Sequence, residues 1–254
     1  MVLMFNIIRD YGLLPYFLRY YCCKGVTRFI CGLHQGQQNE HLIDIREKLR
    51  GYAYTIGCSY FEDFSGERDA VAQNRLLADV LAPGEWYLVA DPDEFHYHAA
   101  FATFIEMRTA AEKEGADYVG SYLLDRLQND GKLADLDLRF SLDEQFPLVA
   151  RLTERILGGC CDKVVMARCG IAISPGHHFA EGKGASFTCE THHFKWQGSD
   201  FLERIHERRR SYKKQNLEYS IEPSRFLDYY ELRGQRIDVQ DPVLDVAPAV
   251  ALGI

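Results

Sequence analysis

Three carboxylates crowd into four residues at Asp91-Pro92-Asp93-Glu94, directly after the apolar run Trp86-Tyr87-Leu88-Val89-Ala90. Carboxylates held this close repel one another unless a cation lies between them, and hard divalent ions such as Mg²⁺ or Mn²⁺ take oxygen ligands. The spacing therefore points to a divalent-cation site. Four of the nine histidines fall in two adjacent pairs downstream, His177-His178 and His192-His193. A neutral imidazole is a good ligand for Mn²⁺ or Zn²⁺, and one could complete a shell begun by Asp93. Neighbours on an extended segment point to opposite sides, so at most one member of each pair can face such a metal.

The elements that must position these groups follow from the patterning. A continuous apolar run bounded upstream by Pro83-Gly84 suits a strand buried on both faces, as in a sheet covered by helices. Pro92 removes a backbone donor and fixes its own φ, so the strand ends there. In open α/β sheets ligands bind outside the carboxyl ends of the strands, which is where the acids lie. Residues 2–8 read as a first strand, 13–21 as a helix with Pro15 near its start, and 26–33 as a second strand, the opening of a βαβ unit. Residues 43–49 read as a helix and 52–56 as a strand. The segment 67–82 is rich in helix formers, with Ser65 as its cap.

Beyond the acids, 101–114 is helical by period and 118–124 is an apolar strand ending at Asp125-Arg126. Residues 128–146 read as a long loop at the site's rim. Residues 163–168 and 170–174 read as a hairpin, and 200–216 as a charged helix. The basic run Arg208-Arg209-Arg210 on that helix, with Lys213-Lys214, suits a solvated face or a peripheral contact with an anionic surface. The expected organisation is one domain over 1–237 and a poorly structured tail over 238–254.

At 254 residues, 47% hydrophobic and 26% charged, the chain can bury a sizeable core. Its formal net charge of -8 argues against a nucleic-acid partner held by a general basic surface. The eight cysteines show no Cys-x-x-Cys pair and no framework spacing, which suits reduced thiols and a cytoplasmic setting. The apolar start Met1 to Ile8 is interrupted by Arg9 and Asp10, too short for a membrane span.

Taken together, Arg9-Asp10-Tyr11-Gly12-Leu13-Leu14-Pro15-Tyr16-Phe17-Leu18-Arg19-Tyr20-Tyr21 with Gly25-Val26, then Glu85 to Phe95, Gly176-His177-His178 and His193-Phe194-Lys195-Trp196, resemble the family 2 type of glycosyltransferase-like proteins. The resemblance covers about residues 4–215. It implies a GT-A-like three-layer α/β sandwich with a mostly parallel central sheet flanked by helices, and transfer of a sugar from a nucleotide-sugar donor to a glycan or other hydroxyl acceptor. A divalent cation, Mn²⁺ or Mg²⁺, would bridge the donor's phosphates and stabilise the leaving group. On this reading Asp93 is a direct metal ligand, with His193 and behind it His178 as further ligands. Asp91 meets the ribose or a metal-bound water, Glu94 holds the turn or supports the metal's ligands from behind, and Asp10 lies in the nucleotide region. Inversion at the anomeric centre needs a carboxylate base, for which Asp125 and Glu181 are the candidates.

The chain departs from the resembled pattern at Arg9-Asp10, in place of an Asn-Glu pair, and at Leu33-His34-Gln35-Gly36, in place of an acidic turn. A non-catalytic nucleotide- or glycan-binding relative is therefore an alternative. A nucleotidyltransferase is another, although residues 9–14 hold only Gly12 where that class carries a glycine-rich phosphate loop. A zinc hydrolase is weaker still, since no His-Glu-x-x-His helix exists.

Overall fold

The structure, a computed structural model, describes residues 1–7, 12–34, 39–59, 66–214 and 220–254. They form two compact units. The first comprises 1–122 and 162–191, and the second 123–161 and 192–254. The expected partition was a single domain with a tail.

In the first unit β1 (Val2–Ile7), α1 (Leu14–Cys23), β2 (Arg28–His34), α2 (Asn39–Lys48), β3 (Tyr54–Ser59), α3 (Gly66–Val80) and β4 (Trp86–Val89) follow one another. β1 lies parallel to both β2 and β4, and β2 lies parallel to β3. The first two strand–helix–strand passages thus feed parallel neighbours, and the third carries the chain back across the sheet to the far side of β1. All four residues of β4 are buried, so its unbroken apolar run fills a position covered on both faces. Pro15 sits in the first turn of α1, where its missing donor is not needed, and the buried face carries Leu14, Phe17, Leu18 and Tyr21.

After β5 (Glu94–Tyr97) comes α4 (Phe104–Lys113). Thr103 caps it by accepting from the Glu106 amide at 3.3 Å, while the Glu106 carboxylate accepts from the Thr103 amide. The sheet is completed by antiparallel partners, β8 (Asp162–Arg168) on β4 and the first half of β6 (Tyr118–Leu127) on β8. β9 (Gly184–His193) pairs with β5 and β6. The architecture is α/β with a mostly parallel central sheet flanked by helices, as expected. The expected hairpin over 163–174 does not form. β8 is a central strand between β4 and β6, and 170–174 contributes only an isolated bridge between Ile173 and Ala180.

In the second unit the later half of β6 pairs antiparallel with β7 (Leu148–Ala150), and β7 with β10 (Ala247–Pro248). The helices are α5 (Leu142–Gln145), α6 (Phe201–Lys214) and α7 (Ile221–Leu232). α6 and α7 contribute Phe201 and Phe226 to a core that also holds Leu127, Leu152, Trp196 and Leu244. The segment expected to be a loose tail is ordered by this core. Leu244 and Ile254 are buried, and the amides of Leu252 and Gly253 donate to Asp143 at 2.9 and 2.8 Å. Among the described residues no helix is long and apolar enough to cross a membrane.

Candidate functional site

The parallel strands run in the order β4-β1-β2-β3, so the chain reverses its direction of growth between β1 and β4. That reversal is the position at which open α/β sheets hold ligands, outside the carboxyl ends of the strands. The Ala90 amide still donates to Met4 of β1 at 3.2 Å, and Asp91 follows at once. The acidic turn therefore stands at the switch point. On the neighbouring strands Asn6 is buried, and a Cβ at Gly32 would lie 2.0 Å from the Asn6 Oδ1. Only glycine at 32 leaves room for that amide near the end of β1.

The turn is tied from several sides. The Glu94 amide donates to the Asp91 carbonyl at 2.9 Å, and the Asp91 amide donates to the Glu94 carboxylate at 3.2 Å. Two tyrosines of α1 fix the strand beyond, Tyr21 donating to the Glu94 carbonyl at 3.0 Å and Tyr20 to the His96 carbonyl at 2.6 Å. This gives the Leu14 to Tyr21 segment a role in holding the site. His96 itself bridges the Val89 carbonyl at 2.8 Å and the Thr191 hydroxyl at 2.9 Å.

The sequence did not reveal the cation that sits among these acids. Lys163, at the start of β8 and 6% exposed, places its Nζ 2.6 Å from Glu94 and 3.7 Å from Asp91, and donates to the Gly176 carbonyl at 2.9 Å. Burial alone would lower the lysine's pKa, but Glu94 and Asp91 outweigh it and hold the ammonium above its ordinary value. Glu94, 2% exposed, is thereby neutralised and belongs to the frame of the turn. Asp91 is different. Its carboxylate is 37% exposed, and burial together with Glu94 raises its pKa while Lys163 and His177 pull it down.

His177 stands nearby with a left-handed backbone, φ 59°, rare for a residue other than glycine. Its Nε2 lies 2.9 Å from the Gln73 Oε1 of α3, and its Nδ1 is buried with no partner. Burial lowers its pKa to about 4, so it is neutral at pH 7. With Gln73, Asn74, Ser174 and Gly176 it lines a small pocket. His178 turns its Nδ1 to the Asp162 carbonyl at 2.8 Å.

Asp125, expected as a base, is fully buried in the second unit and accepts four hydrogen bonds. They come from the Thr153 amide at 2.6 Å, the Thr153 hydroxyl at 2.8 Å, the Trp196 indole at 2.7 Å and His193 Nδ1 at 3.2 Å. Burial would raise its pKa, but the bonds from His193, Thr153 and Trp196 prevail and lower it. With both oxygens engaged it is a structural carboxylate. Glu181 is exposed, and its side chain makes no hydrogen bond or ion pair among the described residues. Asp10 lies outside the described residues.

The expected metal set of Asp93, His178 and His193 is not assembled as a cluster. Asp93 and His178 belong to the first unit and His193 to the second, and among the described residues no three His, Cys, Asp or Glu form a group able to hold an ion. The donor set is nonetheless compatible with Mg²⁺ or Mn²⁺ of one kind. Mg²⁺ is usually held by one or two carboxylates plus substrate phosphates and waters, not by an all-protein cage. Asp91 and Asp93 can supply those two carboxylates.

The sequence matches no known protein family and no curated protein. Among solved structures it is similar to HddC from Yersinia pseudotuberculosis, at 12% identity and a TM-score of 0.39 over 81% of this chain and 98% of that one. A UDP-glucose pyrophosphorylase complexed with UDP-glucose aligns at 10% identity and a TM-score of 0.33, covering 72% and 74%. The inositol-1-phosphate CTP transferase from T. maritima aligns at 10% and 0.31, covering 53% and 56%. Likeness at this level leaves the chemistry to be argued from this chain's own residues.

Proposed function

We propose that the chain is a transferase acting on a nucleotide-sugar, bound over the acidic turn of the first unit. The observation that carries this reading is the position of Asp91 and Asp93 at the carboxyl end of β4, where the strand order reverses beside β1. A pyrophosphate brought to that turn meets carboxylates and needs a positive charge between them. Lys163 lies closest to Glu94, at 2.6 Å against 3.7 Å from Asp91, and a divalent ion held by Asp91 and Asp93 would add the charge a pyrophosphate requires. When bound it would stabilise the oxygen on which charge develops as the donor's bond breaks.

The chain's own residues do the rest. Glu94, Lys163 and the α1 tyrosines keep the turn rigid, and His177, neutral and buried beside Asp91, leaves the turn's charge unchanged near pH 7. Transfer of the sugar to a hydroxyl acceptor is the reaction suggested by the sequence resemblance. With Asp125 enclosed, Glu181 is the carboxylate left to take the acceptor's proton. Transfer of the nucleotidyl group is the second reading, and it is the chemistry named in two of the similar structures. The acceptor, the location in the cell and any peripheral contact through Arg208 belong to this proposal.

The two bonds leave different products. The protein is incubated with Mn²⁺ and a panel of nucleotide-sugars plus glycan acceptors, and separately with nucleoside triphosphates plus sugar 1-phosphates. Release of a nucleoside diphosphate supports glycosyl transfer, and release of pyrophosphate supports nucleotidyl transfer. Neither product, together with no nucleotide binding, would overturn the reading.

A further inference from the structure

The second unit holds a cavity of about 70 Å³, whose lining includes Trp196, Phe226, Lys195, Arg208, Tyr212 and Glu222. At roughly 10–15 Å³ for each water-sized centre it takes a group of several heavy atoms, not a single solvent molecule. Its floor is aromatic and rigid. The Trp196 indole donates to Asp125 at 2.7 Å, and its ring stacks on Phe226 at 4.8 Å and 23°. The Asp125 bond thus fixes the ring's edge while Phe226 fixes its plane.

The rim is polar and unusually uncommitted. Arg208 and Glu222 line the same cavity, yet among the described residues neither side chain makes a hydrogen bond or an ion pair. A guanidinium and a carboxylate that close to one cavity ordinarily pair, and here each is left to a ligand. Lys195 adds a second cation, its Nζ 5.1 Å from the Trp196 ring centre, and Tyr212 adds a hydroxyl.

The ligand's chemistry follows from that set. Two cations call for an anionic group. Glu222 would repel a ligand that was only anionic, so the ligand must also present hydrogen-bond donors. The aromatic wall calls for an apolar face. A sugar ring bearing a carboxylate or a phosphate meets all three demands, with hydroxyls toward Glu222 and Tyr212, the acid toward Arg208 and Lys195, and its C–H face on Trp196.

We propose that this cavity is a binding site for an acidic sugar. Of the basic run of α6, Arg208 is the member that lines the cavity.

The test uses the whole chain with Trp86→Phe, which leaves Trp196 as the one tryptophan. The Trp86 indole nitrogen is buried without a partner, so the substitution strands no other group. Trp196 emission is followed on titration with glucuronate, glucose 6-phosphate, glucose and phenylalanine. Saturable change with either acidic sugar, and at least about tenfold weaker binding of glucose, is expected, as for the loss of a charge-assisted bond. The two acidic sugars tell carboxylate from phosphate. Arg208→Gln should weaken the acidic sugar by a similar factor, with an unchanged melting temperature. Equal binding of glucose, stronger binding of phenylalanine, or no saturable change would overturn the assignment. Saturable acidic-sugar binding in a protein that makes no transfer product would keep the cavity's assignment and remove the transferase reading.

Discussion

The two units each bury a carboxylate, and they neutralise it in opposite ways. In the first, Glu94 is matched by one full charge, the Lys163 ammonium at 2.6 Å, and the same ammonium is shared at longer range with Asp91. In the second, Asp125 is matched by four donors, the Thr153 amide and hydroxyl, the Trp196 indole and His193. Asp125 is 0% exposed and both its oxygens accept from the fold, so no ligand reaches it. Asp91 shares the Lys163 ammonium with Glu94 only at longer range, and its carboxylate is partly open. The contrast supports the proposal of ligand chemistry at the first cluster and a framework role for Asp125.

The contrast can be broken by removing each partner in turn. Lys163→Met leaves Glu94 buried beside Asp91 with no cation, and should cost about 3–5 kcal/mol in denaturant unfolding, the cost of stranding one partner of a buried pair. A loss under about 1 kcal/mol would show that the ammonium is not what holds the turn. The next effect is on pH. His177 has a folded pKa near 4 against an ordinary 6.5, so its contribution is complete above about pH 6.5 and is lost as pH falls toward 4. At about 1.4 kcal/mol for each unit, the acid-side loss approaches 3 kcal/mol. His177→Asn, which tolerates the left-handed backbone, should flatten the slope of stability between pH 6.5 and 4.

Smaller effects sharpen the distinction. Asp125→Asn turns two amide hydrogens toward groups that were donating, and should cost about 1–3 kcal/mol with a shift in Trp196 emission. A neutral outcome would mean the four bonds are dispensable. Asp91→Asn should change stability least, by less than about 1 kcal/mol and toward greater stability, because the fold disfavours its charged form. A large destabilisation there would make Asp91 framework, as Asp125 is.

Much of the first unit was legible from the sequence because its signals are local. The apolar run of β4, Pro15 opening α1 and the helix formers of α3 each specify one element without help from distant residues. The partners were not legible. Nothing near the acidic turn announces Lys163, which reaches it only because β8 enters the sheet beside β4, where a hairpin with 170–174 was expected. β9 escaped because Gly184-Ala185-Ser186-Phe187-Thr188 is only partly buried and, Phe187 apart, small or polar, with full burial concentrated toward its end. Asp125 looked like a strand-end acid of the same kind as Asp91, since its four donors are contributed by Thr153, His193 and Trp196, far along the chain. The tail hid its order because its buried residues Leu244, Leu252 and Ile254 are too few and too scattered to form a periodic run.

Metal-dependent nucleotide binding at the acidic turn tests the central claim most directly. Calorimetric titration of uridine, cytidine and guanosine diphosphates, with Mn²⁺ and with the ion chelated, should show binding of at least one that requires the ion. That binding should disappear in Asp91→Asn and Asp93→Asn while persisting in Asp125→Asn. Binding that survives both turn substitutions, or that ignores Mn²⁺, would contradict it.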